Sequence, residues 1–355
     1  MRIALLTIWR EKNYGAELQA YATVKLLQQM GHEVKMIDIR LSDFPRLNWK
    51  GRLAGLVSTL GPAHHKFCEF WKKNIPTTNR YRSIKAIQKN PPQADVYIVG
   101  SDQVWNPDVT LKFAELYFLN FGGDEIKRIS FASSFGTEKW NFPELSNNVK
   151  KLLDKFSNLF CREDSGVRIL QEEFGLEAKQ VLDPTLLLEN YKELIGDVCE
   201  REILTYYPLS TDPELESYAC LIARELGLEA VNANYCTRFL GKIEWNRPSV
   251  AEWIRSIASA KFVITRSFHG MVFSILHKRQ FAVVASRNGR GTRLVSLLKQ
   301  LGLEDRFYDN LDEMNEAKPW LVEIDYTSVT SRLIKIRENS IELLRCCLED
   351  SFNQE

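Results

Sequence analysis

Long apolar runs are missing from this chain: none approaches the ~18–20 residues that a membrane-spanning helix requires. The amino terminus, MRIALLTIWREKNYG, turns to charge after about seven apolar residues and offers no small-residue cleavage site. It reads as a first β-strand rather than a signal peptide. Cysteine is sparse and unpatterned: the seven residues, at positions 68, 161, 199, 220, 236, 346 and 347, include no C-x-x-C. A disulfide framework and a structural zinc site are therefore not expected, and a reducing cytoplasm suits the chain. Histidine is scarcer still, five in all, and none is read at ligand spacing except the adjacent His64 and His65. No residue is assigned to a metal on this basis, although carboxylates alone can bind Mg²⁺. No G-x-G-x-x-G occurs, which removes the dinucleotide fingerprint. Net charge is nearly absent too. With 47 Lys+Arg against 46 Asp+Glu, 47 − 46 = +1, which excludes a globally basic nucleic-acid-coating protein and an acidic solvating tail. A local basic pocket is still compatible with that balance.

What is present is an ordinary globular composition, 45% hydrophobic and 26% charged over 355 residues, enough for two domains. RIALLTI (2–8), HEVKMIDI (32–39), DVYIVG (95–100), RISFASSF (128–135) and NLFCRE (158–163) read as strands, with a helix over 15–29. After a reset near 184–201 come EILTYYPL (202–209), a helix near 213–226, EAVNAN (229–234), KFVITRSF (261–268) and QFAVVA (280–285). This alternation predicts an α/β protein of two Rossmann-like lobes with parallel sheets and an active-site cleft between them. The N-terminal lobe is placed at 1–185, with a basic, aromatic, helical insertion at about 45–93. The C-terminal lobe is placed at 186–325, and a C-terminal helix at 326–355 is expected to pack back across the lobes. In such sheets ligands sit beyond the carboxyl ends of the strands, so the turns that follow strands are where chemistry is sought.

The turn after the first strand holds Asn13 and Gly15 at a helix start. Exposed N–H groups there can hold a phosphate or carboxylate, or Asn13 can simply cap the helix. The second turn, V-G-S-D-Q-V-W-N-P, gathers Ser101, Asp102, Gln103 and Asn106 behind a buried strand. Asp102 is a candidate general acid/base or sugar-hydroxyl ligand, and a helix cap is its bland alternative. The third site combines Ser134 in S-F-A-S-S-F-G with Arg162 in C-R-E-D-S-G. Arg162 can clamp an anion with paired donors, or pair with Glu163 or Asp164. The fourth, I-T-R-S-F-H-G, sets Arg266, Ser267 and His269 at a strand-to-helix turn, suited to passing a proton or binding a phosphate oxygen. The fifth, S-R-N-G-R-G-T-R-L, offers Arg287, Gly291 and Arg293, where glycine permits close approach and arginine contacts anions. An exposed basic loop explains the same residues. Together the turns would bring Arg162, Arg266, His269, Arg287 and Arg293 to one crevice, suited to a small, multiply anionic ligand with a hydroxylated partner.

In order and spacing these segments resemble the polysaccharide pyruvyl transferase family. The resemblance spans roughly residues 1–310. It rests on N-Y-G-A-x-L-Q-A-Y-A, G-S-D-Q-V-W-N-P, S-x-G after an apolar strand, R-E-D-S-G, L-D-P at 182–184 and S-F-H-G at 267–270. It implies a glycosyltransferase-B-like fold. It also implies transfer of pyruvate from phosphoenolpyruvate to two hydroxyls of a sugar, giving a cyclic ketal on a bacterial surface or capsular polysaccharide or its lipid-linked precursor. By position, Asp102, Arg162 and His269 match the family's site residues. Asp102 and His269 are then read as catalytic, and Arg162, Arg266, Ser267, Arg287, Gly291 and Arg293 as donor-binding. Asn13, Gly15, Ser101, Gln103, Asn106 and Ser134 are further cleft residues. Some members carry an arginine where this chain has Ser267, and here the arginine stands one position earlier, at 266.

No cofactor beyond the donor substrate is implied, and no nucleic acid. The basic 45–93 segment suits peripheral contact with the inner face of a membrane, where a lipid-linked acceptor would stand, or is a solvated insertion. Two other readings stay open: a nucleotide-sugar glycosyltransferase of the same fold, and a non-catalytic member that binds a glycan or an anionic metabolite.

Overall fold

The computed structural model describes residues 1–39, 57–239, 241, 243–285 and 291–349. Arg287, the first part of the 45–93 insertion and residues 350–355 lie outside them. Among the described residues, β1 (Arg2–Leu6), β2 (Glu33–Met36), β3 (Val96–Val99), β4 (Lys127–Ser133), β5 (Asn158–Cys161) and β6 (Lys179–Gln180) form one parallel sheet. Its order is β2-β1-β3-β4-β5-β6. A second parallel sheet holds β7 (Ile203–Tyr207) and β8 (Glu229–Asn232), while β9 (Thr237–Phe239) and β10 (Ile243–Asn246) make a separate antiparallel hairpin. Joined by β11 (Phe262–Thr265), β12 (Gln280–Val284) and β13 (Phe307–Tyr308), the second sheet runs β13-β12-β11-β7-β8. The apolar runs became strands for a plain reason. A parallel strand covered on both faces has no side to turn to water, and VYIV in β3 and FVIT in β11 are buried at every position. Edge strand β2 (EVKM) alternates exposed and buried instead.

The chain forms two compact units. One comprises Met1–Arg46, Trp71–Leu188 and Ile334–Glu355, the other Leu47–Phe70 and Glu189–Leu333. Of the segment read as an insertion of the first lobe, the described residues 57–70 group with the second unit and those from Trp71 onward with the first. The helix Tyr326–Glu349 is divided likewise, from Ile334 onward grouping with the first. No helix among the described residues is long and apolar enough to cross a membrane.

Each unit has an aromatic anchor beside its functional edge. In the first, Trp105 is fully buried, stacked on Phe118 at 5.5 Å and donating Nε1–H to the Tyr117 carbonyl at 3.1 Å. In the second, Trp253 meets Tyr207 at 5.1 Å and Phe273 at 5.3 Å, edge to face. Both sheets contain a point where strand order reverses, between β1 and β3 in the first and between β7 and β11 in the second. Loops diverge there and leave a crevice at the carboxyl edge. The strand ends are flush, with Leu6 beside Val99 and Thr265 beside Tyr207. The turns that follow these four strands therefore lie at the same edge of their sheets.

Candidate active site

In the first unit the switch point is closed by short polar contacts. The Thr7 hydroxyl, past the end of β1, donates to the Ser101 carbonyl at 2.6 Å and is held by Gln19 Nε2 at 3.0 Å. Asp102 follows with a left-handed backbone (φ +77°), a conformation that aspartate tolerates better than most residues. Its Oδ1 accepts the Gln103 N–H at 2.9 Å, and its side chain keeps 18% exposure. Asp102 also bridges to Ser133, whose approach is shaped by a bulge in β4. Ser130 faces Leu159 and Ser133 faces Cys161, one extra residue on β4, with Ala132 at φ +56°. Such bulges re-aim the residues that follow them. The turn after β4 is then tied down by Glu163, whose Oε1 accepts Ser134 Oγ–H (2.9 Å), Phe135 N–H (3.0 Å) and Gly136 N–H (3.2 Å). Gly136 has φ +67°, and a Cβ there would lie 2.3 Å from Gln103 Oε1, so any other residue would adopt a strained backbone and displace Gln103.

Arg162, just past β5, does not stand open at a cleft mouth. Its side chain is 2% exposed, and Nη1 donates to Asp183 Oδ2 at 2.6 Å and to Ser101 Oγ at 3.2 Å. Nη2 lies 3.8 Å from Asp102 Oδ1 and Nε 3.9 Å from Glu163 Oε2. One guanidinium thus meets three carboxylates. Burial opposes its charge, but Asp183, Asp102 and Glu163 outweigh that and raise its pKa above the usual arginine value. Of the partners weighed from sequence, Glu163 is near; Asp164 instead binds Arg168 at 2.6 Å. The main partner, Asp183, belongs to a motif of the family resemblance but has no role assigned from sequence. It stands in L-D-P, an acid before a proline at a strand end, and that was its only signal.

The remaining cleft residues of this unit are mostly structural in their contacts. The Asn13 side chain caps the helix Tyr14–Gln29, accepting Gly15 N–H (3.0 Å) and Ala16 N–H (3.3 Å). Asn106 caps the next turn through the Asp108 N–H at 3.0 Å and donates to Gln103 Oε1 at 3.2 Å. The same edge hides an acid that sequence reading missed. Glu17 is wholly buried and accepts Trp71 Nε1–H at 2.6 Å and the Arg10 N–H at 3.3 Å. Burial pushes its carboxyl up to about 8, and those hydrogen bonds only partly offset this. Arg10 packs over the Trp9 ring at 4.3 Å and pairs with Asp38 at 3.1 Å.

In the second unit the switch point carries His269. The Ser267 Oγ caps the helix Phe268–Leu276 by accepting the Gly270 N–H at 3.3 Å, and His269 is buried in the first turn. Thr265 Oγ1 accepts the Ser267 N–H at 3.0 Å and donates to the Tyr207 carbonyl at 3.2 Å, pinning the turn across β7 and β11. Arg266 spans the same gap: Nε donates to Asp212 Oδ2 at 2.8 Å and Nη1 to the Ala285 carbonyl. Its charge is thereby matched within the unit. Gly291 and Arg293 open the helix Thr292–Leu301, where Gly291 supplies no side-chain cap. The Arg293 guanidinium lies 5.9 Å over the Phe268 ring, which brings it beside the His269 turn. Elsewhere in this unit His64 Nε2 and Cys68 Sγ stand 3.2 Å apart, one helical turn from each other, a His–Cys pairing that sequence reading passed over.

Comparison with known proteins agrees with this architecture. No curated protein matches the sequence significantly. Among solved structures, the UDP-GlcNAc 2-epimerase of Methanocaldococcus jannaschii, complexed with UDP-GlcNAc and UDP, is similar at TM-score 0.52 and 11% identity, over 95% of this chain and 99% of that one. Glycyrrhiza uralensis UGT73P12, complexed with glycyrrhetinic acid 3-O-monoglucuronide, is similar at 0.51 and 10%, over 98% and 95%. At such identities the likeness shows the fold, a glycosyltransferase-B-like α/β architecture of two Rossmann-like lobes. The model of the family described as polysaccharide pyruvyl transferase matches residues 13–288, which takes in Asn13, Asp102, Arg162, Asp183, Arg266 and His269 and stops short of Gly291 and Arg293. The chain belongs to the polysaccharide pyruvyl transferase family.

Proposed function

We propose that the protein moves pyruvate from phosphoenolpyruvate onto two hydroxyls of a sugar, closing a cyclic ketal on a bacterial surface polysaccharide or its lipid-linked precursor. The observation that carries this reading is the contrast between the two switch points. The first unit presents a partly exposed carboxylate, Asp102, within a cluster where acids outnumber cations. The second presents His269 and Arg293 at two helix starts. Helix starts and cations suit the phosphate and carboxylate of the donor, and an acid suits sugar hydroxyls.

In this scheme a proton is added to the donor's methylene carbon, which becomes a methyl group, and C2 acquires oxocarbenium character. One sugar hydroxyl attacks C2 and the second displaces phosphate, so two C–O bonds form and the C2–O bond to phosphate breaks. The two hydroxyl protons balance the added methyl proton and the protonated phosphate. Asp102 passes protons at the acceptor, His269 assists the departing phosphate, and Arg293 holds the anion. Arg162 and Arg266 are engaged by Asp183 and Asp212, which favours positioning roles for both.

Incubation with phosphoenolpyruvate and a panel of lipid-linked or nitrophenyl sugars tests the reading. It expects inorganic phosphate together with an acceptor heavier by pyruvate less water. The fold likeness to an epimerase solved with UDP-GlcNAc and UDP gives one rival, a nucleotide-sugar glycosyltransferase. That enzyme would release a nucleoside diphosphate and leave phosphoenolpyruvate untouched.

A further inference from the structure

We propose that Asp183 is a positioning residue: its carboxylate holds the Arg162 guanidinium so that one edge of the fork faces Asp102. The inference rests on Asp102 acting as the acid/base of the proposed reaction. Asp183 is itself fixed. It precedes Pro184, whose ring holds the previous residue extended (φ −55°, ψ 136°). Its Oδ1 accepts the Thr185 N–H at 3.0 Å and the Thr185 hydroxyl at 2.5 Å. Its Oδ2 is turned to Arg162 Nη1 at 2.6 Å and Ser101 Oγ at 2.8 Å. One oxygen thus orients the carboxylate and the other grips the guanidinium.

The distances rank the three carboxylates around Arg162. The 2.6 Å contact to Asp183 is a tight charge-assisted bond, whereas Asp102 and Glu163 stand at 3.8 and 3.9 Å. Because the guanidinium is planar, fixing Nη1 also fixes where Nη2 points, and Nη2 is the nitrogen nearest Asp102. Burial ranks them in the opposite order. Asp183 and Glu163 are sealed from solvent, and Asp102 alone of the three keeps an exposed face. The residue that grips the arginine is therefore not the residue that can meet a substrate.

The competing explanation is that Asp183 only caps the Pro184–Leu186 turn. Asp183→Asn separates the two, because an asparagine oxygen still accepts the Thr185 N–H while the charge opposite Arg162 is gone. In the full chain, Asp183→Asn lowers kcat about a hundredfold with KM for phosphoenolpyruvate unchanged, the scale of loss that a misplaced catalytic group produces. Arg162→Lys keeps the charge but forfeits the fork, and does the same. The double variant loses no more than the worse single one, because both act through one contact. Wild-type kcat in folded Asp183→Asn, or a raised donor KM in Arg162→Lys, overturns the proposal.

A second readout needs no substrate. The guanidinium nitrogen-15 signals of Arg162 are assigned by their loss in Arg162→Lys. A fork gripped by Asp183 rotates slowly and keeps its Nη1 and Nη2 signals apart, and in Asp183→Asn they merge. Thr185→Val, which removes the hydroxyl that orients the Asp183 carboxylate, draws them together as well and carries the test if Asp183→Asn does not fold. Signals already merged in the wild-type protein, or still apart in both folded variants, overturn the proposal, whatever the wild-type protein does with phosphoenolpyruvate. Separate wild-type signals that merge in the variants, without phosphoenolpyruvate consumption, overturn the function and leave the Asp183 assignment standing.

Discussion

Glu17 is a side chain whose burial changes its charge near neutral pH. It titrates near 8 rather than 4.5, first because burial penalises its charge. The folded protein therefore keeps a proton that the unfolded chain has already released. Stability contributed by that proton is full below about 4.5, falls as pH rises toward about 8, and changes no further above it. Within the window the slope approaches one proton, about 1.4 kcal/mol per pH unit. Glu17→Gln keeps an acceptor for Trp71 and flattens this component; denaturant unfolding between pH 5 and 8 compares the two slopes. At the proposed catalytic positions, Asp102→Asn and His269→Ala each cut phosphate release about 100- to 10,000-fold, with native circular dichroism. Normal phosphoenolpyruvate turnover in His269→Ala removes the imidazole from the mechanism.

Among elements, legibility followed periodicity. RIALLTI and KFVITRSF are readable as strands because a covered parallel strand is apolar throughout, and β1 and β11 lie there. β6 and β13 have two residues each and no period to detect. The polar turns were legible for the same reason as the strands, since each begins where an apolar run stops. Their partners were not. Arg162 reads as an anion clamp until the β5–β6 pairing sets Asp183, 21 positions on, against it, and Arg266 meets Asp212 across 54 positions. Such contacts depend on strand order, which local pattern does not carry. The helix at His269 gives an element-scale test. A Cβ on Gly270 would lie 2.4 Å from Thr265 Oγ1, so the first turn must lift off the strand ends. Alanine gains about 1 kcal/mol of helix propensity, while overpacking against a stiff β-branched neighbour costs about 1–3 kcal/mol. Gly270→Ala is therefore expected to lower Tm and to impair catalysis; a raised Tm with full activity contradicts the close packing of this turn.

For the molecule as a whole, the net charge of +1 is met by local pairing in each unit. Arg162 sits among Asp183, Asp102 and Glu163, and Arg266 is matched by Asp212. What distinguishes the units is what their switch points present, a partly exposed carboxylate in one and a helix-start histidine with Arg293 in the other. Phosphoenolpyruvate-dependent ketal formation on a polysaccharide acceptor, the proposed function, leaves a product signature of its own. The most direct measurement runs the reaction in D₂O with phosphoenolpyruvate and acceptor, following phosphate and the mass and methyl signal of the product together. One phosphate per ketal is expected, and one deuterium in each new methyl group, taken up when the methylene carbon is protonated. Sugar transfer from a UDP-sugar with nucleoside diphosphate release, and phosphoenolpyruvate recovered intact, would contradict the proposed function.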